Sequence, residues 1–227
     1  MEMTSPASFD NEELRVRISA NLTRIQERIV STGRDLSSVR IVAVSKTFGL
    51  DDIRAALSLG LVDFGENYVD ELVQKHHDIE DQNVSWRYLG ALQTNKIAKV
   101  LSAATVVCGV SRSKEIEKIA TLSPAQRIYV QVDFTGQENR NGAPANEVAD
   151  LVNLARERGL TVEGVMTVPS PGLASSEAAF RGLVDIADQL GIRERSMGMT
   201  DDLELACSLG STEIRIGRAL FGQRTYA

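Results

Sequence analysis

The chain has 227 residues, 43% hydrophobic and 25% charged, which is enough for one well-buried core and excludes a disordered or fibrous chain. A net charge of −6 gives no electrostatic reason to expect nucleic acid or an anionic membrane as a partner. No apolar run approaches the roughly 20 residues that cross a bilayer, and the polar, acidic opening MEMTSPASFDNEEL lacks the basic and apolar regions of a signal peptide.

Residues 1–9 read as a flexible tail, and 10–227 as a single domain. From Asp10 to Ser31, Leu14, Ile18, Leu22, Ile25 and Ile29 recur at three- and four-residue spacing, the stripe of an amphipathic helix that Gly33 would end. Short apolar runs then alternate with helical patterns almost to the end. The runs are VRIVAVS (39–45), VDFG (62–65), SWRYLG (85–90), TVVCGV (105–110), RIYVQVDF (127–134), TVEGVMTV (161–168), RSMGM (195–199) and TEIRIG (212–217). Helical patterns lie between them at about 51–59, 67–77, 94–102, 113–121, 145–158, 175–190 and 201–209. Strands without strict polar alternation suit a parallel sheet covered on both sides. Eight units, this length and the lack of a G-x-G-x-x-G after the first strand predict a single (β/α)₈ TIM-type barrel with an extra N-terminal helix.

Cys108, in TVVCGV, and Cys207, in LELACSLG, read as small buried hydrophobes rather than a disulfide or metal pair, which fits a reducing, cytoplasmic home. His76 and His77, beside Lys75 and Asp78, read as solvated helix surface. No metal site and no Ser/His/Asp set is expected.

In such a barrel, chemistry sits at the C-terminal strand ends. Lys46 directly follows the first strand. There it is either a desolvated amine able to attack an aldehyde or a side chain that snorkels to solvent. In the last strand, Glu213, Arg215 and Gly217 alternate with Ile214 and Ile216, so Arg215 is expected inside the barrel near the mouth. Its partner is then a ligand or an acidic group such as Glu213 or Glu66. After strand 7, SMGMTDD puts Thr200 at the expected N-cap of the next helix. After strand 8, Gly217 allows close backbone approach and Arg218 opens a short helical turn. These two loops commonly hold phosphate in barrels. With Lys46 they point to a phosphorylated aldehyde. Asn67 either meets a ligand or caps a helix, and Met166 either packs in the core or touches a ring.

The same residues carry a resemblance. AVSK (43–46), DFGENY (63–68), LGALQTNK (89–96), GVMTV (164–168), SMGMTDD (196–202) and GSTEIRIGRALFG (210–222) resemble the YggS/PROSC family of pyridoxal 5′-phosphate (PLP) homeostasis proteins, in order and over nearly the whole chain. The fold this implies is the barrel domain of alanine racemase without that enzyme's second domain. The resemblance implies PLP as cofactor, held as a Schiff base on Lys46. Arg215 would face the pyridine nitrogen, and Thr200, Gly217 and Arg218 would hold the phosphate. Asn67, Met166 and Met199 would lie near the ring or mouth. It also implies a role in intracellular PLP homeostasis, with PLP-dependent apoenzymes as possible recipients. The chain departs from the family at Tyr88 and Ala91, at Gly109-Val110-Ser111, and at Asp133. Thr200 stands where serine is usual and keeps the hydroxyl.

A racemase needs two positioned acid–base groups. The sequence offers no evident second one beside Lys46, and an arginine at the pyridine nitrogen makes the cofactor a weaker electron sink. A carrier without turnover is therefore expected. The alternatives are a PLP-dependent racemase of the alanine racemase type and an imine-forming aldolase.

Overall fold

The computed structural model describes residues 6–137 and 140–223. Its strands are β1 (Arg40–Val44), β2 (Asp63–Glu66), β3 (Ser85–Tyr88), β4 (Val106–Val110), β5 (Arg127–Asp133), β6 (Ala143–Pro144), β7 (Thr161–Thr167), β8 (Glu194–Ser196) and β9 (Glu213–Ile216). Its helices are α1 (Pro6–Ser31), α2 (Leu50–Ser58), α3 (Val69–Asp78), α4 (Ile97–Leu101), α5 (Ser113–Leu122), α6 (Val148–Glu157), α7 (Leu173–Gln189), α8 (Leu203–Ser208) and α9 (Arg218–Phe221). Apart from the two-residue β6, which lies beside β5, the strands form one ring of parallel neighbours. It closes through β9 on β1 and β4 on β5. The expected eight-stranded barrel is present, with every expected strand matched to within three residues at each end.

Closure divides the apolar residues into two cores. Outward-facing side chains such as Ile214, Ile216, Phe64 and Val107 pack under the helices in the large core. A much smaller cluster of Val106, Cys108, Tyr129 and Met166, with Leu89 and Val168 against it, fills the barrel interior. Cys108 and Cys207 are buried and unpaired. Burial pushes the Cys108 thiol up to about 12 and the Cys207 thiol to about 11.

The stripe on α1 behaves as its spacing predicts, with Ile18, Leu22, Ile25 and Ile29 buried. The helix begins at Pro6, inside the stretch expected to be a tail, because a proline fits the first helical turn without losing a hydrogen bond. Residues 1–5 of that stretch lie outside the described residues. α1 also reaches the far end of the chain. Asn21 Nδ2 donates to Leu220 O at 2.9 Å, and Arg28 Nη2 donates to Thr200 O at 2.8 Å while pairing with Glu204. The added helix therefore braces the loops after β8 and β9.

The N-terminal end of the barrel interior is closed by charge. Glu213, fully buried, forms ion pairs with Arg87 at 2.9 Å and Arg40 at 3.2 Å and accepts the Tyr129 hydroxyl at 3.3 Å. Arg87 also donates to Asp63 at 3.0 Å. Such a cluster is held by mutual neutralisation, since each ion left alone in a dry interior would be costly. Arg87→Ala is expected to cost about 3–5 kcal/mol by stranding Glu213. Urea unfolding measures it, and a loss below about 1 kcal/mol would show that Arg40 alone suffices.

Candidate functional site

A cavity of about 260 Å³ opens at the C-terminal end of the barrel. All eight residues singled out from the sequence line it: Lys46, Asn67, Met166, Met199, Thr200, Arg215, Gly217 and Arg218. Val44, Leu89, Val168 and Asp201 complete the lining and were not singled out. Leu89 had a signal, because it is two residues beyond Arg87 and so faces the same way along the strand.

Lys46 enters the cavity from a tight turn at the end of β1. The Ser45 carbonyl accepts the Phe48 N–H at 3.0 Å, so Lys46 and Thr47 are the turn's central residues. Thr47 has φ +67°.

Arg215 lies across the seam between β9 and β1, paired in register with Val42. It is 5% exposed. Nη1 donates to Ser196 O and Ser196 Oγ, each at 2.7 Å, and Nη2 to Thr167 O at 2.7 Å. Burial draws its pKa below the ordinary value, yet an arginine stays cationic at neutral pH. The acidic partners considered from the sequence are engaged elsewhere. Glu213 belongs to Arg87 and Arg40, and Glu66 to Lys75 and Ser45. Two strand-end carbonyls and a serine orient the guanidinium instead, and among the described residues no carboxylate neutralises it at hydrogen-bond distance.

The loops after β8 and β9 meet at the same mouth. A Cβ at Gly217 would lie 3.2 Å from the carbonyl oxygen of Val44, so the missing side chain lets β9 end tightly against the strand carrying Lys46. Arg218 begins α9, whose opening N–H groups have no acceptor within the helix. Its guanidinium pairs with Asp201 at 3.2 Å on the exposed rim.

The expected cap at Thr200 is corrected by the structure. α8 starts at Leu203, with Asp202 at its N-cap. Asp202 folds back to accept the Met199 N–H at 2.7 Å and the Ser176 hydroxyl at 2.8 Å. Asp202 holds the N-cap position by its backbone, without a side-chain hydrogen bond to α8, because its carboxylate is engaged by Met199 and Ser176. The Thr200 side chain is left lining the cavity. Asn67 likewise does not cap a helix, since α3 follows Tyr68. His76 and His77 are exposed as expected, whereas their neighbour Lys75 is buried. Among the described residues no group of three or more histidines, cysteines or acids could hold a metal.

The model of the alanine racemase N-terminal domain matches residues 16–225. The pyridoxal phosphate homeostasis protein of Pseudomonas aeruginosa is 34% identical over 212 residues, covering 89% of this chain and 92% of its own. The chain belongs to this family. PipY of Synechococcus elongatus PCC7942, solved with PLP bound, is 30% identical with a TM-score of 0.73, covering 87% of this chain and all of its own. Alanine racemase of Clostridium difficile 630 shares the fold, at 14% identity and a TM-score of 0.75, with 92% of this chain covering 57% of the racemase.

The loops after β2 and β3 and the end of β4 are stacked through glycines. A Cβ at Gly90 would lie 2.3 Å from the Asn67 carbonyl, and one at Gly109 would lie 2.3 Å from the Gly90 carbonyl. Gly109, one of the departures, thus supports Gly90, which in turn sets Asn67 at the mouth. Gly90→Ala is expected to cost about 1–3 kcal/mol through that overlap. Thermal or urea unfolding tests this, and a neutral substitution would show that the Asn67 loop is free to move.

Proposed function

We propose that this chain holds PLP in the mouth of the barrel as a Schiff base on Lys46, and that it serves intracellular PLP homeostasis rather than turnover of amino acids. The observation that carries the reading is the convergence of Lys46, Arg215 and the Thr200–Gly217–Arg218 group on one cavity. PLP supplies an aldehyde that condenses with a neutral lysine amine, releasing water. The donor set fits the rest of that molecule. The Thr200 hydroxyl, the N–H groups opening α9 and the Arg218 cation suit a phosphate. The apolar walls of Val44, Leu89, Met166 and Val168 suit a flat ring. Arg215 suits an unprotonated ring nitrogen, to which a guanidinium can donate but not yield a proton. The names of the relatives and the PLP bound to PipY support the same reading.

The lining also supports a carrier over a racemase. Among the described residues the ionisable side chains on the cavity are Lys46, Asp201, Arg215 and Arg218. Arginines are poor proton acceptors, and Asp201 is an exposed rim residue paired with Arg218. None is a second acid–base group facing Lys46 across a substrate carbon. PLP-dependent apoenzymes are the natural recipients. No described helix is long and apolar enough to cross a membrane, and the unpaired thiols suit a reducing cytoplasm.

The decisive experiment is borohydride reduction of the protein with PLP, followed by peptide mapping. The pyridoxyl adduct is expected on Lys46, and Lys46→Ala should lose it while staying folded. An adduct on Lys96 or Lys99 instead overturns the assignment.

Thr200→Ala should weaken PLP retention by about 1.5–3 kcal/mol, the scale of a charge-assisted hydrogen bond. With the cap located at Asp202, it should leave the stability of α8 unchanged. Equal affinity for pyridoxal and PLP would sink the phosphate site.

No multiple-turnover racemisation of common amino acids is expected. Alanine racemisation at about 1 s⁻¹ or faster, within the usual enzyme range, would replace the carrier reading with the racemase.

A further inference from the structure

Lys46 is presented by a turn that its own sequence disfavours. With the Ser45 carbonyl closing on the Phe48 N–H and φ of +67° at Thr47, the turn has the type II pattern, which ordinarily puts glycine at the third position. A β-branched residue there is strained.

The residues on both sides of Lys46 are gripped from α3 and β2. The Thr47 N–H donates to Glu71 Oε2 at 2.8 Å. Lys75 Nζ donates to that same oxygen at 2.8 Å, to Glu66 Oε1 at 2.7 Å and to the Ser45 carbonyl at 2.8 Å. The Ser45 hydroxyl also donates to Glu66 Oε1, at 2.7 Å. Lys75 is 6% exposed and Glu66 fully buried. An ammonium has three donors, and all three of these are taken. Lys75 is therefore held in place, and it touches the chain immediately before Lys46 directly and the chain immediately after it through one carboxylate.

We propose that Lys75, with Glu66 and Glu71, is a positioning clamp that holds the strained Ser45–Phe48 turn and so aims Lys46 into the cavity. Lys75 itself carries no chemistry. Its role is to make a threonine adopt a backbone conformation that would otherwise relax and swing the adjacent lysine. The proposal rests on the reading of Lys46 as the residue that captures PLP.

The test uses the full chain and separates capture from non-covalent binding. Glu71→Ala removes the acceptor of the Thr47 N–H, and the Glu71 side chain is 31% exposed, so the fold should persist. Covalent capture of PLP, read by visible absorbance and borohydride trapping, should fall about tenfold, the scale of one strained residue. Binding of pyridoxine 5′-phosphate, which carries an alcohol in place of the aldehyde, should change by less than about twofold because the phosphate and ring contacts are untouched. Amide exchange at Thr47 and Phe48 should quicken. The decisive arm is the double variant Glu71→Ala/Thr47→Gly, which should regain capture because glycine takes positive φ without support. Lys75→Met should repeat the Glu71→Ala pattern if it folds, and otherwise the Glu71 pair decides.

Unchanged capture in Glu71→Ala overturns the clamp, as does a loss that Thr47→Gly fails to restore or an equal loss of pyridoxine 5′-phosphate binding. If the wild-type adduct lies elsewhere than Lys46, the function reading fails instead. The amide-exchange arm still judges the clamp in that case.

Discussion

The pairing of β9 with β1 is the constraint on which the site depends. Val42 lies opposite Arg215 and Ala43 opposite Ile216, which brings the end of the chain against its first strand. Without that seam Lys46 would not share a cavity with Thr200, Gly217 and Arg218, and Arg215 would have no place at the mouth. Its tightness is set by Gly217, where any side chain would press on the carbonyl of Val44. The same seam explains the extra N-terminal helix. α1 covers it, and through Asn21 and Arg28 it holds the two loops that the seam brings together.

A barrel narrow enough to be filled by side chains cannot admit isolated charge, and this one arranges its interior ions in depth. Glu213 lies at the lower level and is neutralised by Arg87 and Arg40. Arg215, two residues along the same strand, lies at the upper level and is bound by carbonyls rather than carboxylates. The separation matters for chemistry. Were Glu213 to turn up toward Arg215, the guanidinium would meet a ligand as half of an ion pair. Held down by Arg87, Glu213 leaves the charge of Arg215 directed at the cavity. The apolar layer of Cys108, Tyr129 and Met166 lies in the same interior, and burial with the nearby Glu213 charge raises the Tyr129 hydroxyl above its ordinary range.

Much of this was legible because strand geometry is periodic. The alternation of Glu213, Arg215 and Gly217 with two isoleucines places the arginine inside the barrel without a structure. The position of Lys46 follows from the strand that precedes it. What was not legible depends on contacts between distant segments. Thr200 and Asp202 are both acceptable caps by residue type, and the bond that engages the Asp202 carboxylate comes from Ser176, on another helix. Lys75 sits in a run of polar residues with His76 and His77 and reads as surface. Its burial follows from Glu66, nine residues earlier, and from the Ser45 carbonyl, thirty residues earlier. The left-handed Thr47 is invisible for a related reason, since its residue type argues against the conformation it adopts. A sequence reports what residues prefer, and the clamp exists where a preference is overridden.

That override bears on the carrier role proposed for a barrel shared with racemases. A carrier must hold an aldehyde firmly enough to keep it from stray amines and still release it. Covalent capture on Lys46, as proposed, would satisfy the first need, and its reversibility by water would satisfy the second. Racemisation would require a further acid–base group across the ring from the lysine. The cavity presents instead a cationic Arg215, apolar walls and an exposed Asp201 occupied with Arg218. A rigidly aimed lysine in a chemically quiet mouth is suited to keeping a reactive cofactor rather than using it. The rigidity comes from the ion cluster outside the barrel wall, and the quiet from the interior charges being neutralised below the cavity.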